Sequence, residues 1–116
     1  MSEQDILYQN FSSEIQRGVN TLIVLSLLQK PSHGYQLVRE LADLNLPLEG
    51  NTLYPMLRRL EEQGLLKSSW ETGADKPRKN YSLTRAGKAM YERLKSQWYR
   101  TIARVHDVIE EADNAK

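Results

Sequence analysis

The sequence predicts a mainly α-helical fold with a small β-hairpin. Apolar residues recur every three or four positions in four segments, which is the spacing of amphipathic helices. Between the third and fourth segments, two short runs flank residues 72–77, whose composition is typical of a turn. The last segment, residues 84–112, predicts a long helix whose apolar stripe a domain of 116 residues cannot cover by itself.

Composition and charge restrict the class of protein. The chain has room for one domain, and its 16 basic and 15 acidic residues give a net charge of +1, so only local charge can indicate nucleic-acid binding. The absence of cysteine excludes disulfides, thiol catalysis and cysteine-based zinc sites. The N-terminus is polar and acidic, and the longest near-continuous apolar run, residues 22–28, is far shorter than the roughly 20 residues of a membrane span. We therefore expect a soluble, cytoplasmic protein.

The first two helices are bounded by a proline and a serine. The first is predicted over residues 13–30, because Pro31 cannot continue its hydrogen-bond ladder. Residues 1–12 have apolar spacing that suits either a short helix or an arm, and their role stays open. Ser32 is a candidate N-cap for a second helix over residues 33–44.

The third helix is predicted from about Asn51 to Gln63, with Gly64 as its C-terminal stop. Pro55 is tolerated only in a first turn, so we place the helix start between residues 50 and 52. The buried face should consist of Leu53, Met56, Leu57 and Leu60.

Two strands, residues 65–71 and 78–83, and a final helix over residues 84–112 complete the fold, with Thr84 as a candidate N-cap and residues 113–116 as a disordered tail. The order predicts a winged helix-turn-helix at residues 13–83 with a long C-terminal dimerisation helix, because twofold pairing is the simplest way to cover the apolar stripe. The predicted dimer interface is Met90, Leu94, Trp98, Ile102, Val105 and Ile109.

The third helix and the hairpin carry the residues expected to bind DNA. On the helix, Arg58 can bond guanine and Asn51 can bond adenine in the major groove, whereas Arg59 could equally form a helix-surface ion pair. The start of the second helix suits a phosphate, although Tyr35 could instead pack inside the fold. The full predicted set is Ser32, His33, Tyr35, Asn51, Thr52, Tyr54, Arg58, Arg59, Lys76, Arg78 and Lys79.

Catalytic and metal-binding patterns do not occur. The acidic pairs at residues 61–62 and 110–111 are adjacent carboxylates on solvated helices rather than two acids converging on a pocket. His33 and His106 are too far apart for a recognised zinc spacing, and no glycine-rich phosphate loop is present. We therefore expect no enzyme activity, cofactor or metal.

Three motifs occur in the order His33-Gly34-Tyr35, Thr52-Leu53-Tyr54-Pro55 and Arg78-Lys79-Asn80-Tyr81-Ser82-Leu83-Thr84. Together they resemble the PadR-like winged-helix transcriptional regulators over about residues 18–112, in particular the short subclass with one long C-terminal helix. The resemblance implies a homodimer that binds pseudo-palindromic operator DNA, usually as a repressor. It also implies that some members release DNA when a flat apolar or aromatic compound binds between the subunits, beside a tryptophan that Trp98 matches.

Two other classes of function remain open from the sequence. A winged helix can serve as a protein–protein adaptor, in which case replacing Arg58 or Arg78 would change little. It can also serve as a small-molecule sensor without specific DNA binding, in which case Trp98 would respond to a ligand but no duplex would be retained.

Overall fold

The computed structural model describes residues 1–46, 48–73 and 76–115. It confirms the predicted fold class. Ala74 and Asp75 of the predicted turn and Lys116 of the predicted tail lie outside the described residues. The elements are α1 (Glu3–Leu27), β1 (Ser32–His33), α2 (Gly34–Asp43), α3 (Gly50–Glu62), β2 (Leu66–Glu71), β3 (Arg78–Leu83) and α4 (Arg85–Asn114).

The N-terminal segment differs from the prediction. α1 begins at Glu3 and runs without interruption to Leu27, so residues 1–12 are its first turns rather than a separate arm or short helix. A capping box starts it, because the Ser2 hydroxyl accepts from the N–H of Asp5 at 3.1 Å and the Asp5 carboxylate accepts from the N–H of Ser2 at 3.2 Å. These two bonds satisfy donors that a helix start otherwise leaves unpaired.

The sheet has three antiparallel strands in the order β1-β3-β2, so β3 is central. β2 pairs with β3 with Leu66 opposite Leu83 and Ser68 opposite Tyr81. β1 is the strand that the sequence did not predict, because two residues are too short to show an alternating pattern. It places Ser32 opposite Tyr81 and thereby joins the start of α2 to the hairpin.

The N-cap of α2 is His33 rather than the predicted Ser32. The Nδ1 atom of His33 accepts from the backbone N–H of Gln36 at 3.1 Å. Ser32 is buried in β1, where its hydroxyl donates to the Gln36 side-chain oxygen at 3.2 Å. Pairing with β3 holds Ser32 in the sheet, so the helix begins one position later.

α3 begins at Gly50, inside the predicted window, but Pro55 is its sixth residue and lies in the second turn rather than the first. The helix ends as predicted at Gly64, whose φ of 80° lies in the left-handed region that favours glycine. There the N–H of Leu65 donates to the carbonyl of Leu60 at 2.9 Å, which completes a Schellman motif.

α4 has the predicted cap and extends beyond the predicted end. The Thr84 hydroxyl accepts from the N–H of Gly87 at 3.0 Å and donates to the carbonyl of Gly64 at 2.6 Å. The helix continues to Asn114, so residues 113 and 114 are helical rather than a disordered tail. Its 30 residues span about 45 Å.

The hydrophobic core lies where α1, α2, α3 and the sheet meet. The second half of α1 faces it, whereas the first half of α1 and the second half of α4 extend outside it. No helix in the described residues combines the length and the hydropathy needed to cross a membrane. The side chains that form the core are Val24, Leu25, Leu28, Leu37, Leu41, Leu48, Leu53, Met56, Leu57, Leu60, Leu66, Tyr81 and Leu83.

Candidate DNA-binding surface

One face of α3 is exposed because the other is buried. Leu53 and Leu57 are fully buried, which turns the polar positions of the helix toward solvent. Arg58 and Arg59 are exposed, and neither takes part in an ion pair among the described residues. The alternative ion-pair role of Arg59 is therefore not seen there; Arg59 instead lines a polar cleft between α3 and α1. The other exposed positions on this face are Asn51, Thr52 and Tyr54.

Tyr54 is 40% exposed, and its ring is held by two glycines. A Cβ atom on Gly34 would overlap the ring, and one on Gly50 would approach it to 3.2 Å. The ring thus packs on the first residues of both α2 and α3. This contact fixes the position of the helix start that carries Asn51 and Thr52.

The wing, formed by β2, β3 and their connection, carries three basic residues in different environments. Lys76 and Arg78 are exposed. The ammonium of Lys79 lies 3.2 Å from the carboxylate of Glu61 on α3 and 5.4 Å from the centre of the Tyr81 ring. Lys79 is therefore already paired, unlike Lys76, which has no ion-pair partner among the described residues.

Glu61 connects the end of α3 to both strands of the wing. Its carboxylate accepts a hydrogen bond from the Ser68 hydroxyl on β2 and pairs with Lys79 on β3. The Ser68 bond, followed by Lys79, lowers the pKa of Glu61 below its usual value, and the bond to Glu61 raises the pKa of Lys79. Sequence reasoning missed this role, because no local spacing relates residues 61, 68 and 79.

The start of α2 meets the wing at a side-chain contact. The Nη1 atom of Arg78 lies 3.3 Å from the Nε2 atom of His33. Tyr35 is 62% exposed rather than packed inside the fold, with the Arg39 guanidinium 5.9 Å from the centre of its ring. Ser32 is only 4% exposed and its hydroxyl donates to the side chain of Gln36, so little of this predicted DNA contact is accessible in the single chain.

The predicted dimer residues fall into two groups. Met90 and Leu94 pack against the core of their own chain, and Trp98 is half-buried beside Ile15 and Leu22 of α1, where an apolar cleft of about 250 Å³ lies. The remaining three are 43–52% exposed: Ile102, Val105 and Ile109.

The first half of α1 is also apolar and exposed. Five large side chains there are 48–72% exposed, although the sequence left the role of this segment open. Together with the end of α4, they form two exposed apolar helical ends in one chain. The five exposed side chains of α1 are Ile6, Leu7, Tyr8, Phe11 and Ile15.

Comparisons with known proteins agree with this geometry. The model of the transcriptional regulator PadR-like family matches residues 24–93. The crystal structure of a PadR family transcriptional regulator from Eggerthella lenta is 42% identical, with a TM-score of 0.84, and the match covers 92% of this chain and 96% of that one. A PadR family transcription regulator from Clostridium difficile is 30% identical, with a TM-score of 0.65 and coverage of 75% and 93%. A transcriptional regulator from Clostridium thermocellum is 28% identical, with a TM-score of 0.73 and coverage of 81% and 96%. A comparison with curated protein sequences finds no match.

Proposed function

Because this chain belongs to the PadR-like family of transcriptional regulators, we propose that it is a homodimeric repressor that binds a pseudo-palindromic operator. It is a DNA-binding regulator and not an enzyme. The observation that carries the proposal is the exposed polar face of α3, next to a wing whose Lys76 and Arg78 are also exposed. We further propose that it acts in the cytoplasm.

We assign recognition of the DNA sequence to α3, which would lie in the major groove. Arg58 can donate two parallel hydrogen bonds to guanine, and Asn51 can bond adenine in the same way. Thr52, Tyr54 and Arg59 border this face and are suited to phosphates. The support is their exposure, together with the absence of ion pairs at either arginine among the described residues.

Affinity is assigned mainly to phosphate contacts by the wing, which would make binding fall with salt. Lys76 and Arg78 are the principal contacts, since both are exposed. Lys79 is a weaker one, because a phosphate would have to replace Glu61 as its partner.

The binding test is a selection from random duplexes at two salt concentrations. We expect a twofold-symmetric site with half-sites about one helical turn of DNA apart. Arg58→Ala should relax the preference at one base pair per half-site, whereas Lys76→Ala should weaken all duplexes alike and reduce the salt slope by about one. Selection of no site, with residual binding lost at moderate salt, would favour the adaptor or the sensor function.

Dimerisation is assigned to the exposed apolar ends of α1 and α4. A second copy would bury side chains that are half exposed in the single chain, and twofold pairing is the commonest assembly. We expect the double variant Val105→Lys/Ile109→Lys to sediment as a monomer with its winged domain folded. Ser96→Lys adds a charge to an exposed position opposite Leu94 and Trp98 and should leave the dimer intact. An unchanged dimer in the double variant would contradict this assignment.

Release by a small aromatic or apolar compound is the final part of the proposal. Trp98 borders an apolar cleft between α1 and α4, so a flat compound bound there would alter its fluorescence and the angle between the subunits. Trp70 is 65% exposed on the wing, so Trp70→Phe leaves Trp98 as the single reporter. A broad aromatic panel that changes neither Trp98 emission nor operator affinity would contradict effector release.

A further inference from the structure

The contact between His33 and Arg78 joins α2 to the wing and brings two hydrogen-bond donors together. The Nδ1 atom of His33 accepts from the N–H of Gln36 at 3.1 Å, so Nδ1 is unprotonated. A neutral imidazole in that state carries its proton on Nε2. The Nη1 atom of Arg78 lies 3.3 Å from this Nε2, and a guanidinium offers only N–H donors. Two N–H groups therefore face each other across this contact.

No other protonation state of the imidazole removes the conflict. The Nδ1–H tautomer would let Nε2 accept from Arg78, but it would place an N–H against the backbone N–H of Gln36. The doubly protonated ring would oppose donors at both nitrogens. An external acceptor within reach of both His33 Nε2 and Arg78 Nη1 satisfies both donors and preserves the cap of α2.

The surroundings of this donor pair favour an anion. His33 and Arg78 line a cleft of about 370 Å³, together with Tyr35, Tyr54 and Lys79, and none of its described lining residues is acidic. Two acids, Glu40 and Asp43, line the neighbouring hollow, yet neither forms an ion pair with Arg78 among the described residues.

We propose that one phosphate of the DNA backbone binds between the Nε2–H of His33 and the guanidinium of Arg78. This inference rests on the proposed DNA-binding function and names one phosphate contact within it. A phosphate oxygen accepts from both groups, and the planar fork of arginine reaches a second oxygen of the same phosphate. Since His33 caps α2 and Arg78 belongs to β3, the shared phosphate fixes the wing and the helices in one register on the duplex.

A methylphosphonate scan of the selected operator tests the shared phosphate, because each substitution removes the charge of one backbone position. For the wild type, substitution at several positions should weaken binding, and one position in each half-site, the phosphate shared by His33 and Arg78, should weaken it by about tenfold. His33→Asn keeps an N-capping oxygen but lacks the Nε2–H, and Arg78→Gln removes the fork. In both variants, methylphosphonate substitution at that same position should no longer weaken binding. In Lys76→Gln, the matched wing control, substitution at that position should still weaken binding.

Several outcomes separate this inference from the proposed function. If the wild type binds no duplex, the proposed function is overturned and the phosphate site with it. If duplex binds but the two variants lose sensitivity at different positions, or at none, only the shared phosphate is overturned. Binding of inorganic phosphate at His33 and Arg78 that leaves the affinity for DNA unchanged at constant ionic strength would assign the site to a free anion instead.

A second measurement needs no DNA. Long-range nitrogen NMR of the free protein reports which nitrogen of His33 carries the proton, and we expect the Nε2–H tautomer. The Nδ1–H tautomer would mean that Arg78 simply donates to His33, which would remove the reason for an external acceptor.

Discussion

The two halves of α4 have the same apolar spacing but different surroundings. Met90 and Leu94 pack against the core of the chain, whereas Val105 and Ile109 are about half exposed. The winged domain thus covers only the first half of the helix. Amphipathic spacing identifies a face that will be buried, but it does not say whether the partner is the same chain or another copy.

The largest expected effect on stability comes from a substitution in the centre of the winged domain. Leu57→Ala should lower the free energy of unfolding by about 2–5 kcal/mol, because Leu57 is fully buried and its loss leaves a cavity. Urea unfolding at a protein concentration low enough to disfavour dimers gives the comparison. Ile109→Ala, at a side chain 52% exposed, should cost far less there. Equal losses would show that the end of α4 is part of the single-chain core.

A smaller difference in the free energy of unfolding is expected between substitutions at two helical glycines. A Cβ on Gly87 would overlap the carbonyl oxygen of Leu65, so Gly87→Ala should destabilise by about 1–3 kcal/mol through backbone displacement. Gly18 on α1 has nothing within 4 Å of such an atom, so Gly18→Ala should stabilise by up to about 1 kcal/mol. Thermal unfolding of both variants measures the difference. Destabilisation by Gly18→Ala would indicate a close contact made there by a second copy.

The smallest effect concerns the link between α3 and the wing. The pKa of Glu61 is lowered in the folded state. The contribution of Glu61 to stability is therefore fully present above its ordinary pKa of 4.5, and it is lost as the pH falls through the pKa of the folded state. Glu61→Gln should therefore be destabilising by less than about 1 kcal/mol at pH 7, with the difference narrowing in acid. Urea unfolding at several pH values tests this.

Glu62→Gln is the matched control, since the neighbouring carboxylate is exposed and takes part in no ion pair among the described residues. A pH-independent loss in Glu61→Gln would attribute the effect to packing rather than charge. An increase in DNA affinity in the same variant would show that Lys79, once released, binds phosphate.

Local features were predictable because each depends on residues close in sequence. The Thr84 cap, the stop at Gly64 and the buried face of α3 follow from caps, backbone preference and helical period. The continuous α1 was missed because its capping box lies at Ser2, ahead of the stripe that defined the predicted helix.

Contacts between distant residues were not predictable from spacing. β1 is too short to show a pattern and exists because β3 lies beside it. That pairing moved the α2 cap from Ser32 to His33. For the same reason the basic residues of the wing looked equivalent in sequence, although Lys79 is paired with Glu61 while Arg78 meets His33.

The sequence by itself determined the helices, the hairpin and the exposed polar face of α3, because the hydrogen bonds and side-chain directions of those elements repeat over a few residues. Only the tertiary structure decided which of the described charges are paired, which stretch of α4 is covered and which side chains meet at the start of α2. Those outcomes depend on packing between segments that lie tens of residues apart, and no local period encodes that distance.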